Sequence, residues 1–352
     1  MNLERRISVL IIIIFILTLG LIITSTPRTE VIYNANVTLY PDIINVLDKV
    51  SNINLQNKEK TLSFKKNNTG DWEIINKDNF PAQMNLVNDL LLGVANLKVI
   101  EQKTKDPKLY SLLQVDDVTN ENSNAIAMTL KDLNDNILVN LLVGKRERQT
   151  ILGSKAEQLY IRKDGDPQSW LVEGNLPVSL EFKDWVNQPL LPITANDIQK
   201  IIISNNYSKD PVVIYKETND GDFYVKETTE KIATITPIQQ NNILIHKLSN
   251  IEYYHVIGYD KLSTKWQPSL KLEIHTAHKF NIKIEMCKTK KHIYARVLVS
   301  FVGDDKNIQD PIRYNKLNKI NAFSELWLFH ISDEIYNLVN QSQQDLVTAL
   351  KT

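Results

Sequence analysis

The chain has 352 residues, of which 43% are hydrophobic and 23% charged, a composition typical of a folded globular protein. Its 41 basic residues balance its 41 acidic residues, so no net electrostatic field attracts nucleic acid or an anionic surface. Only 10 glycines are present, and neither G-x-x-x-x-G-K-[ST] nor G-x-G-x-x-G occurs. These features predict a chain of about two domains with no nucleic-acid or nucleotide partner.

The N-terminus contains an uncharged apolar stretch, Ile7 to Thr24, directly preceded by Arg5 and Arg6. Its length is at the lower end of what spans a hydrocarbon core of ~30 Å. The alternative is a cleaved signal peptide, which has a shorter apolar region and an A-x-A-like site, and no such site follows here. We therefore predict an uncleaved transmembrane anchor over 7–24. By the positive-inside rule, residues 1–6 are expected in the cytoplasm and the rest of the chain outside.

The first half of the chain beyond the anchor predicts a stalk and one α+β module. Residues 25–60 contain several asparagines and two prolines and are expected to form the stalk. Alternating stretches at 62–64 and 72–74, separated by an Asn/Gly/Asp turn, predict a hairpin. Apolar residues spaced over 86–97 then predict an amphipathic helix, and further strands follow it. These elements define a first module over 61–195.

The second half repeats this order. A shift of 154 positions places four apolar residues of the first helix on apolar residues again: Leu90, Leu91, Val94 and Leu97 correspond to Leu244, Ile245, Leu248 and Ile251. Pro237 is expected to open this second helix, and Phe323–Trp327 to close the unit as Phe182–Trp185 closes the first. We predict a tandem duplication of a hairpin–helix–meander module, with the second copy over 196–330 and a terminal helix over 331–352. The predicted class is α+β with mainly antiparallel sheets.

Histidines gather in the second half, where His275, His278 and His292 lie on either side of Cys287. Their spacing matches no zinc pattern, and solvated histidines on turns and strands are the commoner interpretation. No G-x-S-x-G elbow and no H-E-x-x-H helix are present. We therefore predict no catalytic residue, no metal ligand and no cofactor. A hydrolase built from dispersed residues, or from these histidines and a metal, stays the third alternative.

Aromatic residues offer the best candidates for recognition. Four of the 5 tryptophans lie at the ends of the repeated elements, and the tryptophans are expected to pack in the core. Tyr253, Tyr254, His255 and Tyr259 instead combine polar tips with short apolar runs. Such residues are typical of a recognition surface, and we predict one at these four positions.

A family resemblance rests on motifs distributed over about residues 60–195. They are Trp72, Ile74, Phe80-Pro81-Ala82, Lys103-Thr104, Pro107, Tyr110, Leu112-Leu113, and the segments Leu141 to Glu147 and Tyr160 to Gly174. The chain resembles the domain-of-unknown-function family 4340 in these positions. One departure is Gln114, where the family usually has a glycine before the valine of the Leu-rich turn.

The resemblance implies a single N-terminal anchor, an extracytoplasmic α+β body and an association with ABC transporters of the gliding-motility type; it implies no catalytic residues. Our leading hypothesis is a non-catalytic accessory protein of the bacterial inner membrane, with a periplasmic body that binds transporter subunits. The alternative is a periplasmic envelope module that holds glycan or peptide.

Overall fold

The structure is a computed structural model that describes residues 37–348 apart from 149–156, 208, 219–220, 230–231, 239–242, 263–264, 303–310, 343 and 347. The predicted anchor over 7–24 and the first part of the predicted stalk, 25–36, lie outside the described residues. Among the residues described, no helix has the length and apolar character needed to cross a membrane.

The first half of the described chain forms one antiparallel sheet of nine strands. They are β1 (Asn52–Gln56), β2 (Thr61–Lys66), β3 (Trp72–Ile74), β4 (Phe80–Pro81), β5 (Lys98–Gln102), β6 (Ile126–Lys131), β7 (Ile137–Arg148), β8 (Glu157–Lys163) and β9 (Ser169–Glu173). Their order across the sheet is β4-β3-β2-β1-β6-β7-β8-β9-β5. The predicted hairpin is present, since Phe64 on β2 lies opposite Ile74 on β3.

The second half forms another antiparallel sheet of nine strands. They are β10 (Ile198–Asn205), β11 (Val212–Lys216), β12 (Phe223–Thr229), β13 (Ile232–Ile238), β14 (Tyr253–Gly258), β15 (Leu270–Thr276), β16 (Phe280–Lys288), β17 (Ile293–Phe301) and β18 (Trp327–Ile331). Their order is β13-β12-β11-β10-β15-β16-β17-β18-β14, which is the order of the first sheet with nine added to each strand number.

The sheets are accompanied by the α-helices α1 (Met84–Ala95), α2 (Tyr110–Leu113), α3 (Ile243–Ser249), α4 (Pro311–Leu326) and α5 (Asp333–Val339), and by short 3₁₀ helices. Two antiparallel sheets with several helices confirm the predicted α+β class. One continuous apolar core includes residues of both sheets, among them Trp72 and Ile74 of the first and Phe280 and Ile282 of the second. The strands alternate buried and half-buried positions because successive side chains point to opposite faces of a sheet.

The residues aligned by the 154-residue shift are buried in both halves. Leu90 on α1 is 0% exposed and its counterpart Leu244 on α3 is 2% exposed. The predicted start of the second helix is wrong, because Pro237 belongs to the edge strand β13 and pairs with Tyr224. A proline is tolerated on an edge strand, where its missing N–H leaves no ladder hydrogen bond unmade on the outer side.

The predicted stalk is too long. Residues 43–49 form a 3₁₀ helix, and β1 lies in the middle of the first sheet, paired with β2 and β6. Leu39 donates its backbone N–H to the carbonyl of Leu97 at 2.7 Å, and Leu190 makes the corresponding bond to Ile251 at 2.7 Å. In each half, a short segment that precedes the first strand thus donates a backbone hydrogen bond to the chain just after the first long helix. Residues 37–60 belong to the folded body.

The two halves differ at β18. The sequence places Phe323–Trp327 as the counterpart of Phe182–Trp185, but Trp327 begins β18, which occupies the position of β9 in the strand order. The helix α4 precedes it and lies along β17. The Asn321 side chain accepts the Val299 N–H at 2.6 Å and donates to the Val299 carbonyl at 2.7 Å. β17 pairs with β18 only at Ile293 to Ala295. Further along β17, the Asn321 side chain makes the hydrogen bonds to Val299 that a neighbouring strand would otherwise make.

The predicted terminal helix over 331–352 is not one continuous helix, and residues 344–346 are helical again after α5. Ile331 is the last residue of β18, and α5 extends only from Asp333 to Val339. The Ser332 hydroxyl accepts the Ile335 N–H at 3.4 Å, so this serine caps the helix and separates it from the strand.

The segment 103–115 covers the outer face of the first sheet. Buried Arg162 donates to the Val115 carbonyl at 3.0 Å and lies 4.6 Å from the centre of the Tyr110 ring. A Cβ atom on Gly144 would be 2.3 Å from the Leu113 carbonyl oxygen, so the close approach of this segment requires glycine there. Gln114, which ends α2, has a φ of 57° in the left-handed region. This is the position where the resembled family usually has glycine, which adopts that conformation without steric cost.

Candidate functional site

The predicted recognition residues lie on β14 and just after it, but they do not form one surface. Tyr253 is 3% exposed and points into the core, so its assignment to a recognition surface is wrong. Tyr254 is 42% exposed and points outward. His255 and Tyr259 are half-buried. The alternation of side chains along a strand explains why adjacent tyrosines have opposite environments.

A bulge on β14 positions Tyr254. The pairing of β14 with β18 shifts register between Tyr253 and His255, so Tyr254 is the extra residue. Bulges of this kind are frequent next to functional sites because they redirect a side chain. The pairing of β5 with β9 in the first sheet has a shift at the corresponding place, between Val99 and Glu101. The extra residue there is Ile100, so only the second half presents a tyrosine.

An open groove of about 530 Å³ lies beside Tyr254, and we call it the Tyr254 groove. It is lined by Ile243, His246, Lys247, Ser249, Asn250, Glu252, Tyr254, Ser332, Glu334 and Ile335. The end of α3 forms one wall and the start of α5 another, while β14 forms the floor. Lys247 and Glu334 form an ion pair between the two helices, so the walls are held together.

The chemistry of the Tyr254 groove suits recognition of a polar partner with some apolar side chains. Lys183 Nζ is 5.8 Å from the centre of the Tyr254 ring and 4.0 Å from Glu252 Oε2. Ile243 supplies exposed apolar surface, and Asn250 supplies an amide that can both donate and accept. Both acidic and basic side chains, Glu252, Glu334 and Lys247, line the groove.

The histidines considered as metal ligands do not converge. His278 Nε2 lies 3.1 Å from Asp197 Oδ1, and that carboxylate also accepts from Arg313 Nη1 at 2.9 Å. His292 instead packs against His330, with ring centroids 4.4 Å apart. Among the residues that the structure describes, no group of three or more His, Cys, Asp or Glu side chains is arranged to hold a metal ion.

His330 was missed by the sequence interpretation because β18 was not recognised as a strand. It lies directly opposite Tyr294 on β17 and His255 on β14. With His292 it forms a histidine cluster, which we define as His255, His292 and His330. Trp327–Ile331 is a nearly continuous apolar run, which periodicity alone does not distinguish from a continuation of the preceding helical segment.

The histidine cluster lies next to the junction between the two halves. Asp78, in the turn before β4, accepts the Gly258 N–H on Oδ2 at 2.6 Å and forms an ion pair with Lys261 through Oδ1. Its backbone carbonyl accepts the Trp327 indole N–H at 2.8 Å. Asp78 and the next residue, Asn79, have φ values of 53° and 57°. Two successive non-glycine residues in the left-handed region are uncommon, and the contacts of Asp78 hold this turn in place.

Aromatic rings fill the junction beneath this turn. The Phe80 ring has centroid distances of 5.2 Å to Trp327, 5.5 Å to Phe323 and 6.0 Å to Tyr253. It is also 5.6 Å from Phe182 in its own half. These separations and tilted ring planes are the favourable geometry for aromatic pairs. The burial of Phe80 therefore joins the first half to the second.

Burial and hydrogen bonding set the charge states at this junction. Burial alone would raise the pKa of Asp78, but the hydrogen bonds from Lys261 and Gly258 outweigh it and lower that pKa below 3.8. Burial lowers the pKa of His255 below 6.5, and the positive charge of Lys77 adds to this effect. Asp78 is therefore held ionised and His255 is held neutral near pH 7.

The fold and site define an α+β protein with two nine-stranded antiparallel sheets of the same strand order, an open groove on the second half and an aromatic junction between the halves. A family model described as "Domain of unknown function (DUF4340)" matches residues 72–269, which is more than half of the chain. The chain belongs to the DUF4340 family. A comparison with curated proteins found no match.

Proposed function

We propose that this chain is a non-catalytic accessory protein that binds a partner through the Tyr254 groove. The observation that carries the proposal is the outward projection of Tyr254 at a bulge that the first half shares without a tyrosine. Core packing does not require an exposed tyrosine at this position. The presence of Tyr254 in only one of the two halves therefore supports a function for the surface around it. The balanced charges around the groove favour a protein partner.

The proposal places the protein at the bacterial inner membrane. Residues 7–24 would form its single anchor, residues 1–6 would lie in the cytoplasm and the body in the periplasm. The two halves are proposed to be copies of one duplicated module, supported by the matching strand orders and the 154-residue shift. The partners proposed are membrane subunits of an ABC transporter, in line with the resemblance given above.

Co-purification tests the accessory role. The full-length chain is solubilised in mild detergent, captured, and its partners are identified by mass spectrometry, alongside Tyr254→Ala and Tyr207→Ala. Tyr207 is 67% exposed on the turn after β10 and serves as the matched control. We expect transporter permease or ATPase subunits with the wild type and Tyr207→Ala, and their loss with Tyr254→Ala. Recovery of the bait without any transporter subunit would contradict the proposal.

A second candidate is an envelope module that holds glycan or peptide in the same groove. It is supported by the Tyr254 ring lying beside the Asn250 amide and the His246 imidazole, groups that recognise hydroxyl and amide ligands. Thermal unfolding with cell-wall glycan and peptide fragments separates the two candidates. A ligand that binds the folded state raises the melting temperature, whereas an accessory protein that binds only transporter subunits is unaffected by these fragments.

A further inference from the structure

We propose that the junction between the two halves is an acid-sensitive latch, in which protonation of His255 and His330 releases the Asp78 turn from the second half. This inference goes beyond the proposed binding role and does not depend on the identity of the partner. It rests on the position of the cluster: His255 and His330 are cross-strand neighbours, and His255 is three residues from Gly258, which bonds to Asp78.

Positive charges already surround His255. Lys77 from the first half and His330 from β18 face it and disfavour its protonation, while Asp78 and a backbone bond to Val256 oppose them. The Phe182 ring, with its centroid 6.4 Å from that of His255, closes another side with an apolar surface. Protonation of His255 therefore places a new charge in a half-buried site between a lysine and a second imidazole.

The surroundings of His330 also disfavour its protonated form. Burial is the largest cause that lowers its pKa below 6.5, and the neighbouring His292 lowers it further, while Asp333 opposes them. The rings of Tyr254 and Tyr294 lie 6.4 Å and 5.8 Å from it. The His292 ring, with its centroid 4.4 Å from that of His330, places a second imidazole directly against any proton that His330 takes up.

The sign of the effect follows from these depressed pKa values. The closed junction binds fewer protons than an open one, in which the imidazoles regain a pKa near 6.5. Acidification below 6.5 therefore favours opening, and stability is lost until the pH falls below the lowered pKa values. Asp78 stays ionised over this pH range, because its own pKa lies below 3.8.

Hydrogen exchange of the full-length chain at pH 7.5 and pH 5.5 tests the latch, after correction for the pH dependence of intrinsic exchange. Opening should reduce the protection of peptides spanning 75–82 and 253–262 at pH 5.5. Peptides from β1 and β6, in the middle of the first sheet, should keep their protection. Unchanged protection at the junction would overturn the proposal without any variant being needed.

Variants identify the groups responsible. His255→Gln and His330→Gln remove the titrating groups while keeping polar side chains, and His275→Gln is the matched control because His275 lies on β15, away from β14 and β18 in the sheet order. The loss of junction protection at pH 5.5 should be smaller in either variant, smallest in the double variant and unchanged in the control. An equal loss in all of them would assign the pH dependence to other groups and overturn the role of the cluster. Protection of the junction at pH 7.5 shows that each variant is folded.

Discussion

The indole N–H of Trp327 donates to the backbone carbonyl of Asp78 at 2.8 Å, although 249 residues separate the two in the sequence. Trp327 begins the strand that follows the inserted helix α4, and Asp78 lies in the turn before β4. The carboxylate of the same aspartate accepts the Gly258 N–H. One turn of the first half therefore bonds to two strands of the second through both its backbone and its side chain.

Replacing Asp78 by asparagine tests the energy of this junction. Asparagine tolerates a positive φ, so the backbone conformation is retained while the charge is lost. The amide oxygen can still accept the Gly258 N–H, but the ion pair with Lys261 is broken. We expect the free energy of unfolding to fall by about 1–2 kcal/mol in urea denaturation. Asp89→Asn, on the exposed face of α1, should change it by less than ~0.5 kcal/mol, and an equal loss there would contradict the assignment.

The adjacent residues Tyr253 and Tyr254 should behave oppositely. Tyr253→Ala removes a buried ring that lies 5.1 Å from Phe329 and 6.0 Å from Phe80, so we expect a loss of about 3–5 kcal/mol of unfolding free energy. Tyr254→Ala removes an exposed ring and should cost under ~1 kcal/mol. Denaturation curves of both variants measure the difference. Similar losses would show that the outward projection of Tyr254 is needed for folding.

Asp197 should make stability depend on acidic pH. Burial alone would raise the pKa of Asp197, but hydrogen bonds from the Thr194 backbone and hydroxyl and from Arg313 lower it below 3.8. A carboxylate with a lowered pKa stabilises the fold above its unfolded value, and that contribution disappears as the pH falls through the folded value. We expect the urea midpoint of the wild type to fall below pH 4 more steeply than that of Asp197→Asn. Parallel curves would contradict this prediction.

Gln114→Gly should stabilise the protein. Gln114 has a φ of 57°, where glycine avoids the steric cost that a side chain with Cβ incurs. Because glycine also increases the entropy of the unfolded chain, we expect a net gain of only about 0.5 kcal/mol. Gln56→Gly, in the middle strand β1, should instead destabilise by about 0.5–1 kcal/mol. Denaturant midpoints of the two variants should therefore move in opposite directions.

Gly144→Ala should loosen the segment 103–115. The added Cβ would lie 2.3 Å from the Leu113 carbonyl oxygen and 2.7 Å from Val115 Cγ1, so backbone has to shift. Overpacking of this kind costs about 1–3 kcal/mol. Gly165→Ala is the control, because its Cβ meets nothing within 4 Å and only its φ of 78° is unfavourable. Hydrogen exchange should show lost protection around Tyr110 in Gly144→Ala alone.

Local patterns predicted the elements whose apolar residues recur at a regular spacing. The four apolar residues on and just after α1 and their counterparts at a distance of 154 are buried as a repeated amphipathic pattern requires. The hairpin of β2 and β3 follows from alternation and a turn of Asn, Gly and Asp residues. By contrast, α4 has only a few buried residues, among them Leu317 and Ile320. Its apolar residues are therefore too few to predict an amphipathic helix from their spacing.

The sequence did not predict which of the four candidate recognition residues are exposed. The cluster of tyrosines pointed to β14, but nothing in Tyr253-Tyr254 shows which ring faces the core. The bulge decides it, and the bulge depends on the register between β14 and β18, two strands far apart in the chain. No sequence pattern indicated the role of Asp78 at the junction. Its partners Gly258, Lys261 and Trp327 come close to it only when the two halves pack together.

The sequence by itself determined the α+β class, the repeated order of elements and the family, because these depend on interactions between residues close in the chain and on periodic burial. The tertiary structure decided which tyrosine is exposed, where the histidines meet and how the two halves join. Those features depend on pairings across as many as 249 residues, as between Asp78 and Trp327, and such contacts leave no periodic trace in a single sequence.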